Sequence, residues 1–592
     1  QSIMKRILYI FAAVALVAAA LIFAPLEFKY EKIETTITMR DSVRLHTTIY
    51  KPRLGKNHPI LVQRTPYSCA PYGKEFNKQL SNNYLMQSFV RRGYILVFQD
   101  VRGRFMSEGE YENIRPATEP INEITDSYDT VEWLVNNIEG NNGRVGFYGC
   151  SYPGFYAMYA ALCGHPAVKA VSPQAPVTDW FMGDDVHHNG VMMLSDSFNF
   201  MPMMSHTNHT PTTEWLPTCH HDSSPDQYTF FLGATRDSLR TIMHPSSFWD
   251  SMSEHPDYDE WWQARNVRRY LYNIEPAVLV VGGVFDAEDC FGAWNTYRAI
   301  KEQSPDTECR LVVGPWAHGA WRNRDAEQLS DFNFGKQAGT KYYTNHFELP
   351  FFEYYLRGKG SLETMPDESI FLSGSNSWIS NCDSLTSRTF YLDNGTLTAE
   401  KPTERRCCNY TSDPKNPVPY DSQTVHRRRE YMIEDQRFTA DRADVVTYLS
   451  EPLAEDTSFV GDISVKLDVA ITTTDADFVV RIIDLFPDDD AQKPQYQMLV
   501  RGDIMRARYR NSFSTPSPMI PDRATEVAFT LPGIAHTFKE NHRIMVCVQS
   551  SWYPLAERSP QQFVELWHCS AADFIATDVQ IFNTSSITLG QL

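Results

Sequence analysis

One unit recurs through the first half of this chain: a short, unbroken apolar run followed by an amphipathic stretch. The runs cover residues 60–62, 94–98, 145–148, 168–171, 277–281 and 310–313, and the stretches between them include 127–135, 156–162 and 294–300. Runs without a polar alternate face need cover on both sides, which a parallel sheet flanked by helices provides. The rhythm therefore predicts a doubly wound α/β sheet. It is preceded by two alternating, strand-like segments within 33–50 and interrupted between 179 and 272 by a stretch rich in His, Met, Phe, Trp and Pro. That interval reads as a mostly helical cap inserted between two strands of the sheet.

After about residue 387 the helical pattern stops. Strand-like runs at 388–392, 445–448, 463–471, 478–486, 527–531 and 543–548, punctuated by Pro, Gly and Asp, predict a β-sandwich. The expected organisation is an N-terminal signal or anchor over 1–28, core over 29–178, cap over 179–272, core again over 273–386 and sandwich over 387–592. The N-terminal expectation rests on Met4-Lys5-Arg6 followed by an apolar run from Ile7 to Ala24, the pattern of an export signal. Export, to the periplasm or to an anchored position on the non-cytoplasmic side, follows from it. Membrane association is expected only through that segment.

With 54 Lys and Arg against 73 Asp and Glu, the net charge of −19 argues against nucleic acid as a partner. The eleven cysteines have no paired C-x-x-C spacing, and the His-rich stretch (His187-His188, His206, His209, Cys219-His220-His221-Asp222) lacks H-E-x-x-H or comparable ligand spacing. No metal or other cofactor is expected. Oligomeric state is left open.

The sharpest local signal is Val145-Gly146-Phe147-Tyr148-Gly149-Cys150-Ser151-Tyr152-Pro153-Gly154, an apolar strand running into a helical segment. A Ser on such a turn projects its hydroxyl from the top of the sheet as a nucleophile. The spacing departs from G-x-S-x-G, and by itself the motif also fits an ordinary turn serine. Downstream, Gly282-Gly283-Val284-Phe285-Asp286 and Gly314-Pro315-Trp316-Ala317-His318 place a carboxylate and an imidazole just past two further strands. Ser, Asp, His is the chain order of α/β-hydrolases, so His318 is the expected base and Asp286 its orienting partner. The Tyr152 amide, and a phenol at Tyr67 after an early strand, are the expected oxyanion donors.

Arg64-Thr65-Pro66-Tyr67, Asp100-Val101-Arg102-Gly103-Arg104, the Gly-x-Ser-Tyr-x-Gly elbow, Gly-Gly-x-Phe-Asp and Gly-Pro-Trp-x-His together resemble the cocaine esterase / Xaa-Pro dipeptidyl-peptidase superfamily of serine hydrolases. Tyr448-Leu449-Ser450-Glu451-Pro452-Leu453 and Asp477-Phe478-Val479-Val480-Arg481 resemble its C-terminal domain. The resemblance implies an α/β-hydrolase core, a helical cap, a jelly-roll β-sandwich and Tyr67 as side-chain oxyanion donor. Met182-Gly183-Asp184-Asp185 and Asp286-Ala287-Glu288-Asp289 further resemble the α-amino-acid ester hydrolases. In those enzymes carboxylates at the positions of Asp185, Glu288 and Asp289 surround the substrate α-ammonium. The alternative for Glu288 and Asp289 is complementing the dipole of the following helix.

The expectation is thus an α-amino-acid ester or amide hydrolase working through an acyl-enzyme on a small molecule or short peptide with a free α-amine, α-amino β-lactams included. The alternatives are an Xaa-Pro dipeptidyl peptidase, a general carboxylesterase or acylase, and a non-catalytic surface protein binding glycans or envelope components.

Overall fold

The computed structural model describes residues 25–592 except 218, 220–225, 244–245, 324–325, 383 and 424–427. The apolar run Ile7 to Ala24 and most of the Cys219-His220-His221-Asp222 cluster lie outside the described residues. No helix among the described residues is long and apolar enough to cross a membrane.

The first sheet begins with β1 (Tyr30–Thr38), β2 (Arg44–Pro52), β3 (His58–Thr65), β4 (Ile95–Asp100), β5 (Asn141–Ser151) and β6 (Val168–Pro176). A minimal hairpin, β7 (His187–His188) and β8 (Val191–Met192), stands apart before the sheet resumes with β9 (Ala277–Gly283) and β10 (Cys309–Gly314). A second short hairpin, β11 (Gln328–Leu329) and β12 (Phe332–Asn333), precedes the last two strands, β13 (Glu368–Leu372) and β14 (Ser377–Ser380). The strand order is β1-β2-β4-β3-β5-β6-β9-β10-β13-β14. From β4 to β13 every neighbouring pair is parallel. Each apolar run read from the sequence lies in one of these strands or, for residue 94, abuts it.

Side chains along these strands alternate between two cores, as a pleated strand buried on both faces requires. Ile60, Val62, Val145, Phe147 and Val280 join one cluster with the helices Glu123–Asn137, Tyr152–Ala161 and Cys290–Gln303. Leu61, Leu96, Tyr148, Leu279 and Val281 join the other with Tyr84–Arg91 and Leu349–Arg357.

Between β6 and β9 the described residues form short helices, among them Leu194–Met204, Ser247–Glu254 and Glu260–Arg265. They pack through rings: Trp180 meets Phe248 at 5.2 Å, and Phe181 meets Trp262 at 5.5 Å.

Eleven strands between Thr386 and Gln591 build the C-terminal β-sandwich. All six predicted runs fall at strands. One strand that the pattern hid is Gln497–Arg506, where Arg501, Asp503 and Arg506 break the apolar run although all three are buried. Partners explain them: Arg506 pairs with Asp477 and Glu557, each at 2.7 Å, and Asp503 lies 2.8 Å from His188 Nδ1. Glu557 also accepts from Arg236, on the cap helix Arg236–Met243. Cap and sandwich are therefore joined by buried ion pairs, in which removing one partner would strand a charge.

Candidate active site

β5 ends at Ser151, whose φ of 68° and ψ of −132° lie outside the ordinary regions for a residue with a Cβ. Such strain persists only where the surroundings enforce it. Here the next residue already starts the helix Tyr152–Ala161, with Pro153 in its first turn. The turn is tight enough that a Cβ on Gly149 would lie 2.2 Å from the Pro153 carbonyl oxygen, so that position must be glycine. The Tyr152 ring is buried, its hydroxyl accepting from the Ile114 amide at 2.7 Å. Its amide stays at the helix N-terminus, where no intrahelical acceptor exists.

Asp286 and His318 occupy the loops after β9 and β10. His318 Nδ1 lies 2.9 Å from Asp286 Oδ2 and 3.0 Å from Oδ1. Oδ1 also accepts the amides of Glu288 at 2.9 Å and Asp289 at 3.1 Å, which fixes the carboxylate plane. The loop is held from outside the core as well. Arg501 of the sandwich, 2% exposed, donates to the Val284 carbonyl and, at 2.8 Å, to that of Gly533. A Cβ on Gly319 would sit 3.3 Å from Cys150 Sγ, so the loop carrying His318 lies against the elbow. Among the described residues no hydrogen bond joins Ser151 to His318. His318 Nε2 instead meets Glu288 Oε2 at 3.2 Å.

The carboxylates expected around a substrate amine divide into two settings. Asp185 and Glu288 line one cavity of about 200 Å³ together with Val186, Asp196, Phe200 and Met201. Asp185 has a φ of 32°, accepts from Trp180 Nε1 at 2.8 Å, and is tied by its amide to the Glu288 carbonyl at 3.2 Å. Burial, reinforced by the Glu288 charge, raises its pKa to about 7. Asp289 is fully buried and does not line that cavity, with Oδ2 3.8 Å from His318 Nδ1 and neither carboxyl oxygen hydrogen-bonded. Burial and then the Asp185 charge push its pKa well above the carboxylate range. Although Asp289 is the N-cap residue of Cys290–Gln303, its side chain makes no capping bond. Asp184, beside Asp185 in sequence, braces the loop instead: its Oδ2 accepts from the Thr178 amide and hydroxyl at 2.7 and 2.6 Å.

Burial opposes a charged ring at His318, but the Asp286 and Glu288 charges outweigh it and raise the pKa to about 9. Tyr67, after β3, packs 6.4 Å from the Phe200 ring. Burial, then the Asp185 charge, keeps its phenol well above the usual range and therefore protonated. Its loop is braced by Asp100, which accepts from the Cys69 amide at 2.7 Å and the Tyr72 hydroxyl at 2.8 Å. The motif arginines serve the frame. Arg64 pairs with Glu123 at 2.9 Å, Arg102 with Asp126 at 2.6 Å, and Arg104 donates to the Met203 carbonyl near the end of Leu194–Met204.

Trp180, Phe200 and Arg501 went unread in the sequence. The first two lie in the cap, where no period marks them, and Arg501 reaches the loop from more than two hundred residues away. His187 is a packing residue, stacked on Phe181 and lowered by burial to about 3. Among the described residues no group of three His, Cys, Asp or Glu is placed to hold a metal ion, and no disulfide joins two of the described cysteines.

Residues 41–320 match the X-Pro dipeptidyl-peptidase (S15) family, and residues 349–564 match the X-Pro dipeptidyl-peptidase C-terminal non-catalytic domain. A cocaine esterase from Rhodococcus sp. (strain MB1 Bresler) is 28% identical over 556 residues, covering 88% of this chain and 91% of that one. An aminopeptidase from a marine sediment Thaumarchaeota archaeon superposes with a TM-score of 0.89 at 32% identity, covering 96% of this chain and 98% of its own. An α-amino acid ester hydrolase superposes with a TM-score of 0.88 at 32% identity, covering 95% and 97%. With both halves of the chain matched and the fold shared end to end, the protein belongs to the S15 family of serine hydrolases, alongside the cocaine esterases and α-amino-acid ester hydrolases.

Proposed function

We propose that this hydrolase cleaves esters and amides of α-amino acids through an acyl-enzyme, with Ser151, His318 and Asp286 as its triad. The observation that carries the reading is the pairing of Asp185 and Glu288 on one small cavity beside His318, which the apolar side chains of Val186, Phe200 and Met201 also line. Two acids in a partly dry pocket repel one another, and a bound ammonium relieves that repulsion. The apolar wall is suited to the substrate side chain. The ester hydrolase and aminopeptidase likenesses support an amine-bearing substrate.

Ser151 Oγ attacks the acyl carbon while its proton passes to His318 Nε2, and the carbonyl oxygen becomes an oxyanion held by the Tyr67 hydroxyl and the Tyr152 amide. Collapse breaks the bond to the leaving alkoxide or amine, which takes the proton from His318. Water then repeats the sequence on the acyl-enzyme, giving its proton to His318 as the acid leaves and Ser151 is re-protonated.

Asp185→Asn tests the amine pocket. Losing one partner of a buried charge pair costs about 2 kcal/mol or more. KM for phenylglycine methyl ester should therefore rise by about 30-fold or more, with little change for the N-acetyl ester. Equal effects on both esters would remove the pocket from the proposal. Tyr67→Phe should lower kcat by about 100- to 1,000-fold with KM nearly unchanged, the signature of a donor used in the transition state. An unaltered kcat would reassign Tyr67 to packing.

The family match favours one second reading, dipeptidyl peptidase, in which the same acids would hold a peptide N-terminus. Faster release of nitroaniline from Gly-Pro-nitroanilide than hydrolysis of the amino ester would select it.

A further inference from the structure

His318 Nε2 is the atom that must accept the Ser151 proton, yet Glu288 Oε2 stands 3.2 Å from it while Nδ1 is engaged by Asp286. A neutral ring with its proton on Nδ1 would set the Nε2 lone pair against a carboxylate oxygen, which is repulsive. The contact is attractive only with a proton between the two atoms, on the ring or on the acid. In either case Nε2 has no free lone pair for Ser151.

We propose that Glu288 is a substrate-released brake on His318: its carboxylate occupies Nε2 in the unliganded enzyme, and the α-ammonium of a substrate draws it away and frees the base. The inference rests on the triad and amine pocket proposed above, and adds that the substrate amine switches on the chemistry as well as anchoring the substrate. Glu288 is suited to both states because it both lines the cavity and touches the ring. Substrates without an amine leave the brake in place, so selection would act on kcat/KM beyond what binding alone gives.

The charges around the ring agree. From its own side come Asp286, Glu288 and the buried Asp289; from the cap comes Asp185; from the elbow comes the thiol of Cys150, which burial keeps protonated. Two arginines among the described residues are engaged elsewhere. Arg501 lies behind the loop on main-chain oxygens, and Arg322 donates to Gln174 and faces Glu348. With the ring raised to about 9, about 1% is neutral at pH 7, and each unit by which the pKa falls raises that fraction about tenfold.

The test compares labelling of Ser151 by an amine-free fluorophosphonate with turnover of phenylglycine methyl ester, both against pH. In the wild-type enzyme, labelling should rise with pH to a limb near 9, because the free enzyme needs a neutral ring. The kcat limb for the amino ester, which reports the substrate complex, should lie at least one unit lower. Glu288→Gln should speed labelling at pH 7 by about tenfold or more and lower its limb, while reducing kcat/KM for the amino ester. Coincident limbs in the wild type, or labelling no faster in Glu288→Gln, would overturn the brake and leave the triad standing. The wild-type comparison holds even if the variant does not fold. Failure of the wild-type enzyme to label at Ser151 would instead bring down the underlying triad, and the brake with it.

Discussion

Ser151→Ala is expected to cut turnover of every substrate by about a million-fold, the scale of loss when a triad nucleophile is removed, while leaving the fold in place. The two halves of this expectation have separate grounds. Among the described residues Ser151 Oγ makes no hydrogen bond, so its removal leaves no buried partner unsatisfied. The strained φ of 68° is imposed by the close approach of Gly149 and Pro153 and by the start of the following helix, and Ala meets the same backbone with the same Cβ. The unfolding midpoint should therefore move by no more than a few degrees. Initial rates on phenylglycine methyl ester and nitrophenyl butyrate, alongside fluorophosphonate labelling and a thermal melt, measure both halves. Activity retained on either ester would assign the chemistry to another residue, and a large fall in midpoint would assign Ser151 a structural role.

The contrast between what the sequence revealed and what it concealed follows from where each residue gets its position. Ser151 ends a buried parallel strand, Asp286 and His318 stand just past two others, and the apolar run that announces each strand also locates the turn at its end. Asp185 and Glu288 could be proposed only by resemblance, since no periodicity marks a loop carboxylate as facing a cavity. Asp184 and Asp289 show why. Each adjoins a cavity residue in sequence, yet Asp184 braces the loop through Thr178, and Asp289 is fully buried with neither oxygen hydrogen-bonded. Arg501 was hidden for a different reason. A charged residue on a buried strand looks like a break in the pattern until the fold supplies its partners, here the carbonyls of Val284 and Gly533. The same holds for Arg506, whose partners lie on another strand and on a distant loop. Alternation of strand side chains is local; neutralisation of a buried charge is not.

Asp286→Asn should lower kcat by about 10,000-fold with nearly unchanged geometry, and the hydrogen bonds of Asp286 say why. Oδ1 accepts two amides, from Glu288 and Asp289, so an Asn must keep its carbonyl oxygen there. Its NH2 then replaces Oδ2, 2.9 Å from His318 Nδ1. Two donors cannot share that contact, so Nδ1 must give up its proton and become the acceptor, leaving the ring proton on Nε2. Glu288, 3.2 Å from Nε2, stabilises that wrong tautomer. Nε2 then has nothing with which to take the Ser151 proton. The effect should appear in kcat, with KM for the amino ester nearly unchanged because Asp185 and Glu288 still line the cavity. The Asp286 charge also helps raise the ring to about 9, so the residual activity should have its alkaline-rising limb at lower pH than the wild type. Combining Asp286→Asn with Glu288→Gln removes the charge that favours the wrong tautomer. If the tautomer causes the loss, Glu288→Gln should speed turnover of the amine-free nitrophenyl butyrate by a larger factor in the Asp286→Asn background than in the wild type. Equal factors in the two backgrounds would instead assign Asp286 a purely electrostatic part.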